Sequence, residues 1–239
     1  MISLNHGTIL PLLLTLLTHL TPVTCDCDRA ILISAADAYV SAQTAGSLST
    51  LQTLLTSDYK YQENNKNVDV KSSVLSQALT ISHRKTTADT VACASYTELI
   101  ALTPKPYVIG TSLRHTADGT AVTLIDTIAA TTGSLSFNAA KTLSYIQKED
   151  WSPIADSSKW DTRALLMQTA DAYLDMWTNA TAYNAVPWGT PCERVEGSSL
   201  NSPCTAGAPK GGSSKRNDMR SHEFRLEKGK LRFVHTITL

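Results

Sequence analysis

The chain of 239 residues lacks the short motifs that announce a common reaction. There is no GxSxG nucleophile turn, no HExxH zinc helix, no Walker loop and no GxGxxG fingerprint, so the usual routes to hydrolysis and nucleotide chemistry have no motif here. Charge of one sign is missing too. The 21 basic residues balance 21 acidic ones, and no field draws the chain to nucleic acid or to an anionic membrane. A basic cluster of Lys210, Lys215, Arg216 and Arg220 sits among Gly and Ser without interleaved aromatics, the pattern of a solvated loop rather than a polyanion site. No apolar run reaches the ~20 residues of a membrane helix. The six histidines do not fall at metal spacing: His6 and His19 lie near the start, and His83, His115, His222 and His235 sit on separate segments. Neither a metal nor a cofactor is expected.

What the N-terminus does have is the outline of a secretion leader over residues 1–25. Ile9 to Leu17 is a short apolar run, and Val23-Thr24-Cys25 offers small residues where a signal peptidase reads. Cleavage after Cys25 leaves four cysteines: Cys27, Cys93, Cys192 and Cys204. Four allow three pairings. The favoured one joins Cys192 to Cys204 as a short loop and Cys27 to Cys93 as a staple from the mature N-terminus. Asn179-Ala180-Thr181 is a glycosylation sequon on the same route. The expectation is an extracellular, disulfide-bonded glycoprotein with no membrane contact once the leader is gone.

The strongest pattern is a repeat. RAILISAADAYV at residues 29–40 returns as RALLMQTADAYL at residues 163–174. Both copies have helical periodicity. Leu32, Ala36, Tyr39 and Gln43 form one stripe, and Leu166, Ala170, Tyr173 and Trp177 the other. Asp28 and Asp161 are expected N-caps, and Gly46 a C-terminal stop. A short helix from Ser47 to Thr56 should follow, then a strand over Tyr59–Glu63, a turn at 64–67 and a helical turn or two over Ser72–Leu79. Three strands complete the first half: Val91–Leu102, Tyr107–His115 and, after an Asp118-Gly119 turn, Ala121–Ala130. That order implies an α+β layer fold with helices on one face of a curved antiparallel sheet. The second half closes on His222–Leu226 and Leu231–Thr238. Its VHTI matches the IDTI of residues 125–128 at an offset of 109, against 134 for the helices. The second copy is therefore 25 residues shorter between these marks. Units of 26–155 and 156–239 follow, the second abbreviated.

CDRAILISAADAYV, YQENNKNVDVKSSVL, CASYTEL, PYVIGT, VPWGTPCERVEG and HEFRLEKGKLRFVHT together resemble a family of secreted ascomycete proteins of unknown function, over Cys27 to Thr236. The resemblance implies tandem nuclear transport factor 2-like cones, the fold of SnoaL-like cyclases, ketosteroid isomerases and scytalone dehydratase. That fold hosts enzymes and binding modules alike. One departure stands out. Members usually carry a longer stretch, including apolar strands, where this chain has TAGAPKGGSSKRNDMRS.

Charges on apolar faces are the chemical candidates. Glu98 lies among Ala94, Tyr96, Ile100 and Leu102, and Asp126 among Val122, Leu124 and Ile128. Tyr107, Ile109, Thr111, Leu113 and His115 should form the matching row between them, so that two acids and a histidine line one concavity. A carboxyl in such a pocket can serve as acid or base near neutral pH. Glu63, beside Tyr61, and His83 complete the set. The alternative for each is structural satisfaction by neighbouring hydroxyls and backbone. Tyr39 and Tyr173 read as core, Asp37 and Asp171 as solvated, Trp188 as a packing anchor. The reading that follows is a secreted small-molecule-binding module whose partner is a small apolar metabolite. The competing reading is a SnoaL-like cyclase, isomerase or dehydratase using Glu98, Asp126, His115, Glu63 and His83. The 25-residue shortfall is either a true deletion, which would leave the second sheet open, or a mis-spliced gene model, and the latter predicts that sequencing the transcript finds extra coding sequence near Gly207–Arg220. A transcript matching this chain, with a stable secreted product, contradicts it.

Overall fold

The computed structural model describes residues 27–213, 222–237 and 239. The expected leader and three of the clustered basic residues, Lys215, Arg216 and Arg220, lie outside them. Helix α1, Arg29–Ala45, starts where Asp28 Oδ1 accepts the Ala30 N–H at 2.7 Å. It stops at Gly46, whose positive φ of 64° lets its N–H turn back to the last carbonyls. Its expected stripe is buried, and Gln43 donates its side-chain amide to Val74 O at 2.9 Å and Gln77 O at 3.0 Å. Those two bonds pin the segment after the first hairpin under the helix end. The expected helix over Ser47–Thr56 is instead two single 3-10 turns, Leu48–Thr50 and Gln52–Leu54, running straight into a strand.

Six strands form the first sheet: β1 Leu55–Glu63, β2 Lys66–Asn67, β3 Thr80–Asp89, β4 Ala94–Thr103, β5 Tyr107–His115 and β6 Val122–Thr131. Their order is β2-β1-β6-β5-β4-β3, antiparallel except for the parallel pair β1 and β6. The β1–β2 turn uses Asn64 and Asn65, both at positive φ, a conformation asparagine tolerates. Strand β3 is absent from the sequence reading. TISHRKTTAD has no apolar alternation, because it is an edge strand and the side chains it turns inward, His83 and Lys85, are polar. One face of this sheet packs on α1 through Leu99, Ile109, Leu113, Ile125 and Tyr39.

Helix α2, Ala139–Ile146, connects to the second half. Helix α3, Arg163–Asp175, follows. Its N-cap is Thr162, not Asp161, whose carboxylate instead accepts the Gly229 N–H at 2.8 Å. Four strands form the second sheet: β7 Trp188–Glu196, β8 Ser199–Asn201, β9 His222–Glu227 and β10 Lys230–Thr236, in the order β8-β7-β10-β9. The sequence carries no clear mark of β7 or β8. The pair β10 and β7 is parallel, as β6 and β1 are. The registers match residue for residue. Leu55 opposes Val122 and Trp188 opposes Leu231; Gln62 opposes Asp126 and Val195 opposes His235. Both pairs carry an irregularity at the same place. The expected disulfides are formed, Cys27–Cys93 and Cys192–Cys204.

The two sheets meet through the faces turned away from their helices. Ile237 from the second joins Ile100, Val108 and Ile128 from the first, with α2 closing the edge of that layer. Thr142 on α2 exchanges a 2.8 Å hydrogen bond with Ser198 in the β7–β8 turn. Among the described residues no helix is long and apolar enough to cross a membrane.

Candidate functional site

Two regions concentrate polar chemistry. The first is an open cavity of about 640 Å³ at the C-terminal end of α1. Gly46 and Leu48 form one wall, Tyr59 and Tyr61 of β1 the floor, and Val70 and Leu75 the other wall. The alternation of β1 puts Tyr59, Tyr61 and Glu63 on one face. Tyr61 donates its hydroxyl to Glu63 Oε2 at 2.8 Å, and the same oxygen accepts the Val74 N–H at 2.8 Å. Deeper in, Tyr39 shares a 2.7 Å hydrogen bond with Thr111, and Thr111 a 2.9 Å one with Thr127. Burial, aided by the Glu63 charge, pushes the Tyr61 hydroxyl far above its ordinary range, and burial does the same to Tyr39. Both phenols stay protonated at any working pH, so they serve as hydrogen-bonding groups and not as bases.

The second region is the joint between the sheets. Strand register brings Lys85 opposite Glu98, and both side chains point at the second sheet. The Lys85 ammonium lies 3.1 Å from Glu98 and 2.5 Å from Glu223 of β9. His235 Nδ1 lies 2.5 Å from the other Glu98 oxygen. The Trp151 ring caps the ammonium, its centroid 3.5 Å away, and its N–H donates to Glu149 at 2.7 Å. Glu98 is fully buried. Burial alone would raise its pKa, but His235 and Lys85 outweigh that and hold it far below the usual carboxylate range. Burial also disfavours the Lys85 charge, yet the flanking Glu98 and Glu223 leave that pKa above normal. Glu223 is held by Lys85 and, less strongly, by His235. Burial, reinforced by the Glu98 charge and opposed by Lys85, leaves it pushed up to about 7.

The five sequence candidates do not converge. Glu98 and His83 share the joint, since His83 sits opposite Ile100 on the same face. Its imidazole is depressed by burial, with Glu98 acting against that and Lys85 with it. Asp126 lies on this same outer face, opposite Ser112, two strands away from Glu98. The row of Ile109, Thr111 and Leu113 expected beside these acids belongs to the other face, because Glu98 opposes Gly110, not Thr111. His115 is tied by Nδ1 to the Gly119 carbonyl at 3.0 Å in the hairpin turn, and burial depresses it. Only Glu63 touches the cavity floor. Lys85 and Glu223 carry no mark in the sequence, since a cross-sheet partner leaves no trace in local spacing; His235 is marked only as the residue that VHTI aligns with Asp126 of IDTI. The second half holds a buried group of its own. Arg194 is fully buried, paired with Glu196, and donates to the carbonyls of Cys204 at 3.0 Å and Ala206 at 2.8 Å. Tyr173 also donates to Glu196. Among the described residues no His, Cys, Asp and Glu group is arranged to hold a metal ion.

A family model described as a domain of unknown function (DUF8021) matches residues 159–220. No curated protein matches in sequence. Two solved structures overlay on part of the chain. PrhC from Penicillium brasilianum is 14% identical, covers 43% of this chain and 82% of its own, with a TM-score of 0.31. An ntf2-like protein of unknown function from Shewanella baltica is 10% identical, covers 43% of this chain and 94% of its own, with a TM-score of 0.30.

The raised Glu223 makes the joint sensitive to pH. A carboxyl whose pKa rises on folding holds its proton longer in the folded state, so its contribution to stability falls as pH climbs from the ordinary 4.5 to about 7. His83 and His115, depressed by burial, act in the opposite direction. The Glu223 contribution is therefore read as the stability of the parent minus that of Glu223→Gln, by denaturant titration at a series of pH values. That difference should decrease steadily across the window. A difference independent of pH contradicts the assignment.

Proposed function

We propose that this chain is a secreted small-molecule-binding module built from two copies of one nuclear transport factor 2-like unit, the second lacking two strands. The matched registers of β1 with β6 and of β7 with β10 support the duplication. So do paired positions: Tyr39 and Tyr173 hold the same place on their helices, and Glu63 and Glu196 on their strands, opposite Thr127 and Thr236. The resemblance to a secreted ascomycete family belongs to this same reading. The two disulfides suit an oxidising compartment, and Asn179 is exposed for glycosylation.

The observation that carries the binding reading is the cavity at the end of α1. It is of the volume typical of ligand sites and is walled by Leu48, Val70, Leu75 and two tyrosines. Gln52, Asp69 and Lys71 stand on its lining as polar contacts. An uncharged, largely apolar molecule with one or two polar groups fits that lining. Glu63 is occupied beneath the floor by Tyr61 and the Val74 N–H, an arrangement that orients the phenol rather than freeing a base. Glu98 and His83 lie behind the sheet, in the joint, and Asp126 shares that outer face.

Mass spectrometry of the protein purified from its native secretion tests the reading. A small molecule should co-purify, and Tyr59→Ala should reduce its retention by about tenfold or more, on the scale of one lost aromatic contact. Glu98→Gln should leave retention unchanged in molecules that remain folded. Full retention in Tyr59→Ala contradicts the cavity assignment.

A further inference from the structure

The cavity at the end of α1 has walls of two kinds. Half of its lining comes from residues 68–76, a stretch whose only regular structure is two single 3-10 turns, Val70–Ser72 and Val74–Ser76. The second turn is fixed from three directions. Gln43 of α1 donates its amide to Val74 O and Gln77 O. Glu63 of β1 accepts the Val74 N–H at 2.8 Å. Tyr107 of β5 donates its hydroxyl to the Gln77 side chain at 3.1 Å. Ser73, Val74 and Leu75 are buried as a result.

The first turn has no such anchors. The Asp69 carboxylate accepts the Lys71 N–H at 2.9 Å. The Asp69 carbonyl takes both the N–H and the hydroxyl of Ser72 at 2.9 Å, and the Val70 carbonyl takes the Ser73 N–H at 3.1 Å. All of these bonds stay inside the turn. Among the described residues no hydrogen bond or ion pair joins Asp69–Ser72 to another element of the fold. Asp69, Lys71 and Ser72 are exposed, and only the half-buried Val70 side chain packs on the core. A segment held by internal bonds and one apolar contact opens at low free-energy cost. Its two ends are tied down: the Val68 N–H donates to Tyr61 O at 3.4 Å, and Ser73 begins the anchored turn. This loosely held piece also carries the two charged side chains of the cavity lining, Asp69 and Lys71.

We propose that Asp69–Ser72 is a lid on the cavity. It swings about Val68 and Ser73, closes over a bound molecule with Val70 turned inward, and brings Asp69 and Lys71 to the ligand's polar group. The fixed walls take the apolar body of the same molecule. An acceptor and a donor on one lid suit a hydroxyl group, which offers both functions. Closure of this kind shuts water out and commits the ligand. The inference rests on the cavity reading above, and the experiment separates the failure of one from the failure of the other.

The test uses the full chain and one defined probe, 2-naphthol, with naphthalene as its counterpart without the hydroxyl. Amide exchange is resolved by nuclear magnetic resonance. Without probe, the Lys71 and Ser72 amides should exchange about a hundredfold faster than that of Gln77, which sits in the anchored turn. Saturating 2-naphthol should slow the lid amides. The parent should bind 2-naphthol more tightly than naphthalene, and Lys71→Ala, at an exposed position, should reduce that preference by about fivefold. Lid amides as slow as Gln77 without probe overturn the lid. So does lid exchange that saturating 2-naphthol leaves unchanged while Tyr59→Ala weakens its binding, and in that case the cavity reading stands. A preference untouched by Lys71→Ala overturns the polar role of the lid. No binding of 2-naphthol at its solubility limit, or equal binding by Tyr59→Ala, overturns the cavity reading and the lid with it.

Discussion

The structure depends on one buried cation. Lys85 comes from an edge strand of the first sheet and is held between Glu98 of the same sheet and Glu223 of the second. Removing such charges from water costs several kcal/mol per ion, and the mutual attraction offsets this only when the geometry is close and the remaining valences are satisfied. Here both conditions are met in part by a fourth strand and a ring. His235 takes the second oxygen of Glu98, and Trp151 covers the ammonium. A cation over an aromatic face gains further stabilisation once it is desolvated. Glu223 is the member with least support, and its raised pKa expresses that. The cluster fixes which residues face which across the joint, because a shift of one residue along a strand would turn each of these charges to the wrong face.

That constraint divides the molecule's chemistry. Glu98 and His83 are taken up in the joint between the outer faces of the two sheets, and the cavity of the first half opens on the helix side. There the first half leaves an open cavity over Tyr59 and Tyr61, while the second fills the equivalent interior with Arg194, Glu196 and Tyr173. Tyr61 and Arg194 occupy matching places on β1 and β7. The first presents a phenol toward a cavity. The second ties its guanidinium to the loop closed by Cys192–Cys204. Two sheets of matching register thus carry different interiors, one open over two tyrosines and one filled by a buried ion pair.

Much of the frame is legible in the sequence, for definite reasons. The doubled RAxLxxxADAY marks two helices because a buried stripe must recur at helical spacing, and β4, β5 and β6 show because each alternates apolar residues on a well-covered face. Of the three pairings the four cysteines allow, the favoured one is formed. Strands β3, β7 and β8 are hidden. β3 is polar on both faces, and β7 opens on Trp188-Gly189-Thr190-Pro191, which reads as a loop. Missing β3 also hid Lys85, and with it the reason for Glu98. The sequence correctly marks Glu98 as an acid on an apolar face but cannot say that the apolar face belongs to a second sheet. The stripe of α3 misleads in an instructive way: Leu166 keeps the pattern of Leu32, yet it is 41% exposed where Leu32 is fully buried.

The claim that the joint binds the two sheets through its charges is tested most directly by a double-mutant cycle between Glu98 and His235. Denaturant unfolding of the parent, Glu98→Gln, His235→Gln and the double variant isolates the pair from other effects of each substitution. The account predicts a stabilising interaction of about 1 kcal/mol or more, within the range of contacting residues in one network. Additive losses, with no interaction between the two sites, would contradict it and reduce the joint to apolar packing around Ile237.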